Sequence, residues 1–245
     1  MTASHGHFWG IGVGPGPRGL LPIVAVEALS QAAIIYFPRA RSAEVSIARQ
    51  CLDGLVIPES RLREVEFIMD PDRSVLREHY GALAAEISVE LEAGRDVAYL
   101  TLGDPMTYST FGYTLAALKD RLPALRARTI PGITSFAAAA AALGWPLGEG
   151  KERVLILPCP DEPDSLRRDI ESHDVVVLMK VGKRLPMVLQ VVRDMGIGKH
   201  CALASRIGLP GETLCSDLGT LPDAAPLGYL STMLIRRTER KKRHP

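Results

Sequence analysis

The chain has 245 residues, of which 47% are hydrophobic and 23% charged, with a formal net charge of +1. That length and balance fit one large or two medium α/β domains. They exclude a strongly basic nucleic-acid binder and a polyanionic or disordered chain, so any basic binding surface is local. The first ten residues carry no charged leader followed by an apolar run, and no apolar stretch approaches the roughly 20 residues needed to cross a bilayer. Cysteines 51, 159, 201 and 215 form neither a close pair nor a zinc-like spacing. A reducing, cytoplasmic setting with no bound metal is expected.

Phe8–Val13 reads as a strand entering a glycine-proline turn, Gly12–Pro17. Leu20–Ala33 has helical spacing, Ile34–Phe37 is a second strand ended by Pro38, and Val45–Cys51 suits a short helix. Arg63–Phe67 is a third strand. Asp72–Ala93 repeats apolar residues every three or four positions, at Leu76, Tyr80, Leu83, Ala84, Ile87 and Leu91, and Gly94 stops it. Asp96–Leu102 is a strand running into Gly103-Asp104-Pro105, followed by a helix over Ser109–Leu122. A proline break and a short β-like stretch then place a domain boundary between residues 127 and 128.

Beyond it the alternation resumes, with helices over Phe136–Leu143, Ser165–Ser172 and Arg184–Met195. The intervening strands are Val154–Leu157, Asp174–Met179, His200–Ala204 and Gly228–Ile235. Such alternation predicts two α/β domains with mainly parallel sheets. Arg236–Pro245 reads as a basic, frayed tail, with polyanion binding as its alternative role.

Two loops carry the chemistry. Gly14-Pro-Gly16-Pro-Arg-Gly19 formally matches the dinucleotide-binding fingerprint. Pro15 and Pro17 lack the amide donors that a pyrophosphate needs, and Tyr36-Phe-Pro38 stands where an acidic residue should close the second strand. Nucleotide oxidoreduction is therefore disfavoured. Thr101-Leu-Gly-Asp-Pro-Met-Thr-Tyr-Ser-Thr110 puts Gly103 and Asp104 at the carboxyl end of a strand, where open α/β sheets bind ligands. Taken alone, Asp104 could equally be a helix cap with Pro105 as the first helical residue.

Taken together and in order, GVGPG (residues 12–16), LTLGDPMTYSTF (100–111), IPGITSFAAAAAALGWPL (130–147) and VVVLMK (175–180) resemble the tetrapyrrole methyltransferase family. The likeness runs from Phe8 to about Arg237. GDPMTYSTF, PGITSF…LGWPLGEGKE and Tyr36-Phe-Pro with its basic follow-on resemble the subgroup that methylates C20 of precorrin-2. The resemblance implies a tetrapyrrole methylase-like fold with its active site in the inter-domain cleft, S-adenosylmethionine as methyl donor and precorrin-2 as substrate. The N-terminal domain would supply the substrate side and half of the cofactor site, and the C-terminal domain the other half. It also implies a cytoplasmic homodimer, with neither nucleic acid nor membrane as partner. The alternatives are the cobalt form of the substrate, another corrin position, or a non-catalytic S-adenosylmethionine-binding protein.

By resemblance the cofactor residues are Pro15, Leu102, Gly103, Asp104, Met106, Thr107, Ser109, Thr110, Thr134, Ser135, Met179 and Arg206. Substrate candidates are Arg18, Tyr36, Arg39, Tyr108 and Lys180, with Arg41, Lys183 and Arg184 as further basic candidates, because a polycarboxylate needs a basic rim. Tyr36 and Tyr108 are the catalytic candidates, and no residue stands out as the base. One departure from the family is Pro17, where aspartate usually follows Gly-x-Gly-Pro-Gly.

Overall fold

A computed structural model of the chain describes residues 5–16, 19–41, 43–68, 70, 72–222 and 225–239. Pro17, Arg18 and the tail from 240 to 245 lie outside the described residues. The chain divides into two compact units, Met1–Thr134 and Ser135–Pro245.

The first unit holds a five-stranded sheet in the order β3-β2-β4-β1-β5, parallel throughout. Its strands are β1 (His7–Gly12), β2 (Ile34–Ala40), β3 (Leu62–Phe67), β4 (Val97–Thr101) and β5 (Arg126–Ile130). β4 is buried at every position, because helices cover both faces. On one face, α1 (Ile23–Gln31) and α2 (Ile47–Gln50) close over Ile11, Ile35, Phe37, Ala98 and Leu100. On the other, α3 (Arg73–Glu92) and α4 (Phe111–Arg121) close over Phe8, Tyr36, Val97 and Tyr99. Asp72 caps α3 by accepting from the Ser74 N–H at 2.8 Å.

The second unit holds the order β6-β7-β10-β8-β9. These are β6 (Val154–Pro158), β7 (Val175–Met179), β8 (Cys201–Ser205), β9 (Thr213–Cys215) and β10 (Ser231–Arg236). β6 and β7 are parallel, while β10 runs antiparallel between β7 and β8, so this sheet is mixed. α6 (Pro163–Ser172) and α7 (Leu185–Asp194) pack Leu166, Ile170, Val188 and Leu189 on one face. α5 (Ser135–Ala142) packs Ala138 and Ala139 on the other.

Several expectations shift. Pro38 does not end β2, which continues to Ala40 paired with β3. Pairing with β4 stops at Tyr36, so the missing N–H of Pro38 costs no bond on that side. β5 belongs to the first sheet through its register with β1, so the expected boundary at residue 127 would cut through it. β9 has only three residues, too short for alternation to reveal. Arg236 is not tail but the last residue of β10, and only 5% of it is exposed. It donates to Glu152 at 2.6 Å and to the Pro146 carbonyl at 3.0 Å, and lies over the Trp145 ring.

Candidate active site

Parallel pairing brings the carboxyl ends of β4, β1 and β5 side by side, and each chain end leaves the sheet through a glycine-bearing loop. Beyond β1 and β4 the two loops stay bonded. The Val13 N–H donates to the Thr101 carbonyl at 2.9 Å, and Gly14 and Gly103 exchange bonds of 3.2 and 2.6 Å. The loop after β5 closes on the same point. A Cβ on Gly132 would lie 2.1 Å from the Gly103 carbonyl oxygen, and one on Gly12 would lie 2.4 Å from the Gly132 nitrogen. Gly103 itself is not crowded. Its Cβ would meet nothing nearer than 4.0 Å, but its φ of +74° suits only glycine comfortably.

Asp104 fastens these loops together. Its Oδ1 accepts from the Met106 N–H at 2.9 Å and the Thr107 hydroxyl at 3.1 Å, and its Oδ2 accepts from the Gly132 N–H at 3.1 Å. It is not the cap of α4, which begins at Phe111, with the Ser109 hydroxyl accepting from the Phe111 N–H at 3.0 Å. Between the Asp104 turn and Thr110 at the helix start, the chain exposes Met106 (67%) and Tyr108, whose φ of 51° is rare for an aromatic residue. Pro15 is buried, and Leu102, Thr107, Ser109, Thr110 and Thr134 are half-buried around the same loops.

In the second unit, the carboxyl ends of β7 and β8 flank the amino end of β10. At these three ends Lys180, Arg206 and Leu230 all have left-handed backbone angles, with φ of 54°, 53° and 52°. The Arg206 N–H donates to the Leu230 carbonyl at 3.1 Å, and the Gly182 N–H to Gly228 at 2.8 Å. Met179 is half-buried at the end of β7, its carbonyl accepting from the Cys159 N–H at 2.7 Å. Lys180 is exposed, yet the protein mass around it pulls its pKa below the ordinary lysine value. The Ser135 hydroxyl, at the start of α5, accepts from Thr232 at 3.0 Å.

A family model described as Tetrapyrrole (Corrin/Porphyrin) Methylases matches residues 7–222. The chain belongs to this family. The probable cobalt-precorrin-2 C(20)-methyltransferase of Methanocaldococcus jannaschii is 33% identical, covering 95% of this chain and 96% of that protein. The cobalt-precorrin-2 C(20)-methyltransferase of Salmonella typhimurium is 29% identical, covering 95% and 97%. The precorrin-2 C(20)-methyltransferase of a Sinorhizobium species is 29% identical, covering 94% and 95%. Among solved structures, a cobalt precorrin-4 methyltransferase matches with a TM-score of 0.71 at 17% identity, covering 94% of each chain. A uroporphyrin-III C-methyltransferase of Thermus thermophilus, complexed with S-adenosylhomocysteine, matches at 0.62 with 18% identity, covering 94% and 92%. These two likenesses bear on the methylase fold.

Within this tetrapyrrole methylase, Tyr36 lies in the core and not on the surface. It is 2% exposed and packs in the core between the first sheet and α3, where its hydroxyl donates to Glu86 at 2.8 Å. Burial and the Glu86 hydrogen bond push its pKa far above the ordinary tyrosine value. Arg39 pairs with Glu64 at 2.7 Å and donates to the Ala43 carbonyl at 2.7 Å, and Arg41 pairs with Glu66 at 2.5 Å. These two exposed ion pairs join the end of β2 and the turn after it to β3. Arg184 pairs with Asp161 in the same way, and the Arg206 Nε donates to the Pro210 carbonyl at 2.8 Å. Arg18 lies outside the described residues. Gly12, Gly14 and Gly132 stand in the quoted motifs without being among the named site residues, and Leu230 carries no sequence signal.

Proposed function

We propose that this tetrapyrrole methylase transfers the methyl group of S-adenosylmethionine to C20 of precorrin-2, giving precorrin-3A in cobalamin biosynthesis. The observation that carries the reading is the loop convergence at Gly12, Gly103 and Gly132, set beside relatives of the C20 name that align over nearly their whole length. A Cβ on Gly103 would meet only the Ile133 carbonyl oxygen, at 4.0 Å, and this room suits a cofactor close to the main chain. S-adenosylmethionine supplies a methyl group already activated by its positive sulfur, so the protein's work is positioning and exclusion of water.

In this reading the backbone of Gly103 and of residues 106 and 107 lines the cofactor, flanked by Pro15, Leu102, Ser109, Thr110 and Thr134. Asp104 serves by shaping the loop, since both of its carboxylate oxygens already accept from the protein. Ser135, Met179 and Arg206 are proposed as the cofactor residues of the second unit. Tyr108 and Lys180, both exposed on left-handed turns, are proposed to meet the macrocycle and its carboxylates. The enzyme is proposed to work in the cytoplasm as a homodimer, which light scattering on the purified protein tests.

The deciding experiment is turnover with S-adenosylmethionine and precorrin-2, metal-free and cobalt-bound side by side, with the new methyl located by NMR. A methyl at C20 supports the proposal. A methyl at another position moves the enzyme elsewhere in its family, and tight S-adenosylhomocysteine binding without turnover of either macrocycle favours the non-catalytic reading.

A further inference from the structure

The first sheet carries a second feature, on its α1 face. A groove of about 460 Å³ opens beside α1 along the first half of β1 and the length of β5, from Arg126 to Ile130. Its lining includes the His7 and Trp9 rings, stacked in parallel with centroids 5.7 Å apart and 6° between their planes, His7 half-buried and Trp9 7% exposed. The register pairs His7 with Arg126 and Trp9 with Arg128, so the four side chains share one face of the sheet. Glu27 and Gln31 of α1 form the opposite wall. His7 lies five residues before Gly12, roughly 16 Å along the strand, so the His7–Arg126 end of the groove stands away from the glycine loops.

Position makes the arginines informative. At these points of β5 the side chains face the helical layer, where apolar residues would close the gap to α1. Arg126 and Arg128 stand there instead, on an edge strand that is exposed over residues 126–128. The lining therefore combines two guanidiniums, one carboxylate, an amide and two aromatic rings, in a volume within the usual range for small-molecule sites. Guanidiniums recognise carboxylates through paired hydrogen bonds, and a flat ring recognises another by offset stacking.

We infer that this groove is a binding site for a small planar aromatic carboxylate, with its ring on His7 and Trp9 and its carboxylate between Arg126 and Arg128. The competing account is that the arginines only guard an exposed sheet edge against pairing with another chain.

The two tryptophans of the chain allow a direct test. In 15N-labelled Trp145→Phe protein, the single indole N–H signal belongs to Trp9. Titration with 2-naphthoate is expected to shift that signal saturably in the millimolar range, and the neutral 2-naphthalenemethanol should shift it far less. Arg126→Gln with Arg128→Gln should weaken 2-naphthoate binding by about tenfold or more. Glu27→Gln, which removes the one carboxylate of the lining, should strengthen it. S-adenosylhomocysteine affinity, measured by calorimetry, should remain unchanged in all three variants and serves as the check on folding. An unsaturable shift, equal responses to the anionic and neutral probes, or an unchanged response in the arginine variant would overturn the inference and leave the arginines as edge guards.

Discussion

Gly132→Ala isolates the loop convergence. The added Cβ would sit 2.1 Å from the Gly103 carbonyl oxygen and 2.7 Å from Gly12 Cα, where real Cβ contacts essentially never fall below 3.0 Å. The neighbours are backbone, so no side chain can swing aside, and the loops must part by nearly 1 Å. Such overpacking costs about 1–3 kcal/mol of stability. The functional cost is larger, since a 1 Å displacement of a positioning element lowers rate by about 10²-fold. It also strains the Gly132 N–H bond that Asp104 accepts at 3.1 Å. The assay is kcat/KM for methyl transfer, with S-adenosylhomocysteine affinity by calorimetry and thermal unfolding to show that the fold persists. Gly103→Ala is a second probe: its Cβ meets no protein atom nearer than 4.0 Å but enters the space proposed for the cofactor, so S-adenosylhomocysteine affinity should fall while the left-handed strain costs about 1–2 kcal/mol. If Gly132→Ala turns over like the parent while remaining folded, the convergence does not position the reaction and the argument from these loops fails.

Tyr36→Phe removes the hydroxyl bonded to Glu86 and should cost about 1 kcal/mol of stability while leaving kcat and its pH profile unchanged; a lost alkaline limb would restore Tyr36 as an acid–base group. Burial pushes the Cys51 and Cys201 thiols up to about 12, so a maleimide at neutral pH should label Cys215 well before either, as peptide mass spectrometry would read. The hydrogen bond from Arg236 holds the Glu152 carboxyl below its ordinary pKa. A depressed folded pKa contributes stability that is full above the unfolded carboxylate value of about 4.3 and is lost as pH falls through the folded value. Thermal unfolding across that acid window should therefore fall less steeply in Glu152→Gln, and an unchanged slope would dismiss the pair. Lys180→Gly should relieve a left-handed residue, stabilising the fold by about 1 kcal/mol, and should raise KM for the tetrapyrrole; unchanged KM would remove Lys180 from the substrate site.

The sequence disclosed what was local. Gly103-Asp104-Pro105 after a run of apolar residues, and Pro131-Gly132 before an alanine-rich helix, each lie within one strand-loop-helix unit, so their positions could be read directly. The face of Tyr36 could not. Ile34 to Phe37 are buried on both sides of the sheet, and without alternation nothing tells which side chain meets α3. The convergence of Gly12 with Gly132 depends on β1 and β5 being neighbours, a matter of strand order across more than a hundred residues. The antiparallel β10 was hidden for the same reason, and with it Leu230. Arg236 looked like the first residue of a basic tail because its partners, Glu152 and Pro146, lie more than eighty residues away.

Backbone strain gives the candidate site its firmest physical signature. Among the described residues, the non-glycine residues in the left-handed region are Tyr108, Lys180, Arg206 and Leu230. Each costs about 1–2 kcal/mol relative to an ordinary turn. None of them lies in a helix or strand. Tyr108 follows the Asp104 turn, and the other three stand at adjacent strand ends of the second sheet, held there by the Arg206–Leu230 and Gly182–Gly228 backbone bonds. Because β10 runs opposite to its neighbours, its amino end joins two carboxyl ends, and three sharp reversals fall at one edge. Each of these three stands at a strand end, where α/β sheets commonly bind ligands. The left-handed residues and the glycine loops are both features of the main chain, so the glycine and lysine variants test these loops more directly than removal of a titrating side chain.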